Sequence, residues 1–285
     1  MQCSLLLVPG NDPSLKIALQ ETLPSKNFKI TMASSKEEAL RLISISSYTV
    51  VIWEMENSSS DQIQFLRELK LLDSSIPAIV FSKNNDENYI LQLFSLGAFA
   101  SLQNFVNITE LMELIKSAAE THKEGDELQI ISAKPHWIEV ILPPRTNYIP
   151  RLSNLLARLV RNLEERECQR LLYAFRELLQ NAIEHGSRFS ATQKILIRYM
   201  RSQHFLLFYI EDEGTGFDFS CIPHAAIGGK KNAAMEVMQY RKQIGMRPGG
   251  LGIASVISIA DELYYSQRGN AVVMIKYYNS ELSES

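Results

Sequence analysis

Along the first 120 or so positions, short continuous apolar runs alternate with stretches in which apolar residues recur every third or fourth place. The runs at residues 4–8, 28–32, 49–53, 78–82 and 98–102 are of strand length and apolar nearly throughout, the pattern of strands buried on both faces. The stretches 13–23, 36–45, 60–72, 88–96 and 109–121 have helical spacing. Five such alternations predict a doubly wound (βα)5 domain of the α/β class. Local punctuation agrees: Ser35 precedes Lys36-Glu37-Glu38 as an N-cap with acids in the first turn, and Asn107 or Thr109 is placed to cap the fifth helix.

The periodicity lapses in the polar run Thr121-His122-Lys123-Glu124-Gly125-Asp126-Glu127, which predicts domains at 1–122 and 128–285 joined by a linker at 123–127. Beyond it the order changes to a strand at 137–142, helices at 148–163 and 166–185, strands at 194–201 and 203–211, a helix at 252–260, and a hairpin of 262–266 with 271–278. Strands and helices grouped this way predict an α+β sandwich, a mostly antiparallel sheet with helices on one face.

Composition narrows the function classes. A net charge of −3 offers no global attraction to nucleic acid, so a polyanion would need a local basic patch, and none stands out. Cys3, Cys168 and Cys221 form no C-x-x-C pair, which suits a reducing compartment and argues against structural zinc. The apolar start ends at Pro9-Gly10 without a basic n-region, and no run approaches the 18 or so residues of a membrane span. The expectation is a cytoplasmic protein with no membrane or nucleic-acid partner.

On the predicted helix 166–185, Glu177, Asn181 and Glu184 fall at i, i+4 and i+7, off the apolar stripe of Leu171, Leu172, Phe175, Leu178, Leu179, Ala182 and Ile183. A Glu and an Asn so placed suit a proton acceptor beside a ligand for a hard cation, and the same spacing alone also describes a solvated face. Asp212-Glu213-Gly214-Thr215-Gly216 leaves a strand with an acceptor followed by glycines that admit close backbone approach. Gly249-Gly250-Leu251-Gly252 opens a helix, where amide donors and the helix dipole favour phosphate. The Walker and G-x-G-x-x-G patterns are both incomplete.

Taken in order, Glu177-x-x-x-Asn181-Ala-x-x-His185-Gly186, Asp212-x-Gly214-x-Gly216 and Gly249-Gly250-Leu251-Gly252 resemble the ATP-binding boxes of the GHKL superfamily, in the form of its anti-sigma-factor serine kinases. The resemblance implies ATP and Mg²⁺ as cofactors. Glu177 would be the general base acting on a serine hydroxyl, Asn181 the Mg²⁺ ligand and Asp212 the acceptor for the adenine N6 group. Gly214 and Gly216 would form the floor under the nucleotide, Gly249 to Gly252 the phosphate turn, and Lys230 and Lys231 lid cations, with His185 shaping the site. It also implies protein partners, an anti-anti-sigma domain of the STAS type and a sigma factor, and a homodimer. The alternative is a catalytically silent, nucleotide-gated protein that sequesters a partner. A sensor histidine kinase is excluded because His122 has no room for a helical hairpin after it.

The front domain resembles a response-regulator receiver. Its acid pair, nucleophile, hydroxyl and lysine would fall at Pro9-Gly10 (or Asn11-Asp12 with a one-residue slip), Glu54, Ser82 and Asn104. A Glu in place of Asp, with the lysine and a full acid pair missing, holds neither Mg²⁺ nor phosphoryl charge well. The expectation is a pseudo-receiver that serves as a docking or regulatory module.

Overall fold

The apolar runs of the front segment form a five-stranded parallel sheet in the order β2-β1-β3-β4-β5, built from Cys3–Val8, Phe28–Met32, Val50–Trp53, Ala78–Phe81 and Ala98–Leu102. Alternation along β1 sends Leu6 and Val8 to one face and Leu5 and Leu7 to the other, and each face is sealed by helices. Helices α2 (Lys36–Ile45), α3 (Ser59–Leu72) and α4 (Glu87–Ser95) bury Ala39, Ile43, Phe65, Leu66, Leu69 and Leu93 on the first face. Helices α1 (Ser14–Thr22) and α5 (Ile108–Glu124) bury Leu15, Leu19, Leu111, Leu114 and Ile115 on the second. The expected cap forms, Ser35 accepting from the Glu38 amide at 3.1 Å, and Ser58 with Asp61 makes a full capping box on α3.

This computed structural model describes residues 3–10, 14–24, 26–54, 58–103, 108–216 and 251–278. Asp12, Asn104, Lys230, Lys231, Gly249 and Gly250 lie outside the described residues, as do Asn107 and Cys221. The chain divides into two units, Met1–Glu127 with Asn147–Val160, and Leu128–Thr146 with Arg161–Ser285. The division differs from the sequence expectation in one element. Helix α6 (Tyr148–Leu159), read as part of the rear domain, packs within the first unit against β5, α5 and α4. Helix α5 also runs to Glu124, into the expected linker.

The second unit is a six-stranded antiparallel sheet in the order β10-β11-β9-β8-β7-β6. Its strands are β6 (Gln129–Lys134), β7 (Trp137–Leu142), β8 (Ile195–Arg201), β9 (Phe205–Asp212), β10 (Glu262–Tyr265) and β11 (Ala271–Tyr277). Strand β6 was not expected from the sequence: its apolar pair Ile130-Ile131 breaks the alternation, and its ladder with β7 shifts register between Ile130 and Ser132. The buried row Leu206, Phe208 and Ile210 of β9 packs against helix α7 (Glu165–Asn181), with the Phe175 and Phe208 rings 5.8 Å apart. Helix α8 (Leu251–Ile259) lies alongside α7, and Arg170 of α7 donates to the Ser258 carbonyl at 2.9 Å.

Candidate functional site

The alternation of β9 decides where its last residue goes. Asp212 continues the inward row of Leu206, Phe208 and Ile210, so its carboxylate is carried to the edge of the core instead of into solvent and is 7% exposed. There Oδ1 accepts the Gly214 N–H at 2.8 Å. Asn270, at the foot of β11, grips the same residue twice, accepting the Asp212 N–H at 2.9 Å and donating its carboxamide to the Asp212 carbonyl at 2.8 Å. Burial raises the Asp212 carboxyl above its usual range, partly offset by the Gly214 N–H and the charge of Arg268.

Three glycines are required by this packing. A Cβ at Gly186 would collide with the Asp212 carboxylate, and one at Gly214 with the Gly186 carbonyl. Gly216 has φ +72°, and a Cβ there would run into the Arg268 carbonyl. Gly186 reaches Asp212 because α7 does not end as an ordinary helix. Residues Ala182–Gly186 form a π turn, with the Ser187 N–H donating to the Ala182 carbonyl at 2.8 Å. The chain then takes two left-handed residues, Arg188 and Phe189, with φ of 50° and 56°.

Around Asp212 lies a cavity of about 210 Å³. Leu178, Asn181, Ala182 and His185 line it from α7 and the π turn, Ile210 and Gly216 from β9 and its exit, Ile253 from α8, and Tyr265, Asn270 and Val272 from the β10–β11 hairpin. A largely apolar wall around one buried carboxylate suits a flat, hydrogen-bonding heterocycle. Glu177 stands one turn before Asn181, half-buried, beside the cavity instead of lining it. A Cβ at Gly252 would collide with Oε2 of Glu177, which sets that carboxylate against the first turn of α8.

The structure therefore gathers Asn181, His185, Asp212 and Gly216 around one cavity, with Glu177, Gly214 and Gly252 at its margin. Leu251 opens α8, while the lysines and glycines preceding it fall outside the described residues. Sequence reasoning missed Tyr265, Gly269 and Asn270, which read only as a hairpin and its turn. The signal was the placement of that turn on a strand paired with the Asp212 strand, where Ala271 faces Glu211. Among the described residues no three His, Cys, Asp or Glu side chains converge as a metal site. A single carboxamide oxygen from Asn181 fits a cation that takes its remaining ligands from phosphate and water, as Mg²⁺ does.

In the first unit, Glu54 follows β3 and its Oε2 accepts the Gly10 N–H at 3.0 Å. Ser82 is buried, its Oγ accepting the Asn84 N–H at 3.2 Å. The carboxylate at the nucleophile position thus joins the β1 and β3 exits.

Comparison with known proteins finds two families along the chain, with α6 inside the second match. Residues 142–276 match the histidine kinase-like ATPase domain, and residues 6–116 match the response regulator receiver domain. The transcriptional regulatory protein ZraR of Salmonella typhimurium is 26% identical over 129 residues, 45% of this chain and 29% of that protein. Sporulation initiation phosphotransferase F of Bacillus subtilis is 21% identical over 111 residues, 39% of this chain and 90% of that protein. The chain thus spans under a third of the length of ZraR. A solved CheY-like receiver domain protein from Methanospirillum hungatei is 18% identical with a TM-score of 0.39, covering 44% of this chain and all of that one. No helix among the described residues is long and apolar enough to cross a membrane.

Proposed function

We propose that this chain, whose segments match a response regulator receiver domain and a histidine kinase-like ATPase domain, is a signalling protein and acts as an ATP-dependent protein serine kinase of the anti-sigma type. The observation that carries the reading is the placement of Glu177. Its carboxylate lies against the first turn of α8, one helical turn from Asn181 and beside the cavity that holds Asp212.

In this reading Asp212 accepts from the N6 amino group of adenine, and the apolar wall of Leu178, Ile210 and Ile253 encloses the base. The Asn181 carboxamide oxygen would hold Mg²⁺, which supplies charge neutralisation on the phosphate oxygens. The first-turn amides of α8 would face the phosphates. Glu177 takes the proton of the incoming serine hydroxyl as its oxygen forms a bond to the γ-phosphorus, and the bond from that phosphorus to the β-bridging oxygen breaks, leaving ADP. Lys230 and Lys231 are assigned to the lid over the phosphates and His185 to the rim of the site.

The substrate class is a small protein domain bearing an exposed serine, of the STAS type, with a sigma factor as the competing partner and a homodimer as the working form. Cytoplasmic placement goes with these partners. The receiver serves as a docking and regulatory module that takes up no phosphate, since a glutamate, Glu54, stands at its acceptor position and neither a full acid pair nor a lysine accompanies it.

The test is calorimetric ATP binding together with transfer of labelled γ-phosphate to serine in a cognate substrate domain. Asp212→Asn should abolish binding. Glu177→Ala should keep ATP affinity within about threefold and slow transfer by about 10²–10⁴-fold. Full transfer by Glu177→Ala would remove the base from this role, and ATP recovered unchanged with every partner domain would leave a nucleotide-gated binding protein.

A further inference from the structure

Helix α6 lies inside the segment that matches the ATPase domain, yet it packs within the first unit. One stripe of what it presents there is polar. Asn147, Arg151, Asn154 and Arg158 fall at three- and four-residue intervals along one stripe. Arg151 is 2% exposed. It pairs with Asp126 at 2.7 Å, and its guanidinium lies over the rings of Phe94 and Phe99, 5.6 and 5.3 Å from their centres. The Asn154 carboxamide accepts the Ser101 N–H at 3.0 Å, Asn147 donates to Thr121 Oγ1 at 3.0 Å, and Arg158 donates to the Asn84 carbonyl at 2.9 Å.

Two features set this contact apart from ordinary core. Ser101 Oγ, Asn147 Oδ1 and Arg151 Nε are buried without a hydrogen-bond partner. Each carries a desolvation cost that docking does not recover, so the helix is held less firmly than an apolar one would be. The contact also reaches the receiver's altered site. Asn84, whose carbonyl takes the Arg158 bond, donates its own N–H to Ser82 Oγ at 3.2 Å, so one residue joins that hydroxyl to α6. Downstream, α6 ends at Leu159 and α7 begins at Glu165, so a short connection leads from it to the helix that carries Glu177 and Asn181.

We propose that the receiver unit is an intramolecular docking domain for α6, and that docking of α6 and binding of nucleotide are thermodynamically linked. The linkage rests on the nucleotide reading of the site above. With α6 held, the start of α7 has less freedom to lose when ATP binds, so docking tightens the nucleotide site. Nucleotide in turn secures the docked helix by the same factor.

The experiment uses the full chain, with hydrogen exchange of α6 peptides and calorimetric ATP titration run on the same preparations. The variants are Arg151→Met, which removes the buried charge, and Asp126→Asn, which removes the ion pair while keeping the packing. In both, α6 peptides should exchange at least tenfold faster and ATP affinity should fall by about five- to tenfold. Saturating ATP should slow α6 exchange in the parent protein. If Arg151→Met fails to fold, Asp126→Asn carries the same test alone. Unchanged α6 exchange in Asp126→Asn overturns the docking, and faster exchange with unchanged or tighter ATP binding overturns the linkage. A parent protein that binds no ATP overturns the nucleotide reading instead, while its exchange data still decide the docking.

Discussion

Oε2 of Glu177 fills the space that a side chain on Gly252 would need. The proposed base and the first turn of the proposed phosphate-binding helix are therefore fitted to each other. Gly252→Ala must push the Glu177 carboxylate aside, and phosphoryl transfer should fall at least tenfold, the scale expected for a displaced proton acceptor. The double variant with Glu177→Ala should be no slower than Glu177→Ala alone, because the carboxylate that the methyl group displaces is then absent. Single-turnover transfer rates on the four proteins of this cycle measure the coupling. Strictly additive losses would show that the methyl group acts on the phosphates and not on Glu177.

The carboxylate of Asp212 is enclosed as tightly, by Gly186 and Gly214. Gly186→Ala should weaken ATP binding by more than tenfold and cost about 1–3 kcal/mol of stability through overpacking. Acidification should act on the same residue in two opposed senses. Burial, the larger effect, raises the carboxyl of Asp212, so it protonates at a higher pH than an ordinary aspartate and loses an acceptor for the adenine amino group. ATP affinity should therefore fall as pH drops through that raised range. For folding the sign reverses, because the unfolded state releases this proton first as pH rises, so burying the charged form costs stability at neutral pH and acidification relieves that cost. Calorimetric titration and urea unfolding at matched pH values separate the two.

Much of this was legible in the sequence because it rests on local periodicity. Strands β1 and β3 to β5 are buried on both faces and read as nearly unbroken apolar runs, and Asp212 falls in register with the inward row of β9. What was not legible depends on long-range register or on helix geometry. The role of Asn270 arises from pairing across 58 positions. The π turn at Ala182–Gly186 satisfies the same apolar spacing as an α-helix would, and it is the turn that brings Gly186 to Asp212. The allegiance of α6 was hidden because the stripe on which the first unit closes is polar, with Arg151 and Asn154 buried. A periodicity argument places such residues in solvent.

Glu54, which the proposed reading places outside phosphate chemistry, has a structural partner. Its carboxylate accepts the Gly10 N–H, tying the exit of β1 to that of β3. Glu54→Ala should lower stability by about 1.5–3 kcal/mol, the range for a hydrogen bond to a charged group, read as a shift in the urea midpoint at unchanged slope. The parent protein should take up no phosphoryl group from acetyl phosphate by intact-mass measurement, and Glu54→Asp should not restore it. An added phosphoryl mass on the parent protein would overturn the assignment of this unit as a receiver without phosphate chemistry.

Lys70 gives the first unit a stability that depends on alkaline pH. Its Nζ donates to the carbonyls of Ile76 at 2.7 Å and Ser74 at 3.2 Å. Burial, with the charge of Arg151 second, pushes the ammonium down from 10.5 to about 8, against the opposing pull of Asp126 and Asp73. Between about pH 8 and 10.5 the unfolded chain therefore holds a proton that the folded chain has released. By linkage, stability must rise with pH across that window, by at most about 1.4 kcal/mol per pH unit. Tyr209 and Tyr265 act in the opposite sense on the second unit, to which β9 and β10 belong. Burial raises both to about 12 from an ordinary 10.0, so the unfolded state ionises first and the stability of that unit falls beyond about pH 10. The expected result is a urea midpoint that climbs from pH 8 to 10, and Lys70→Met should flatten that climb. An equal climb in the variant would place its origin in another group.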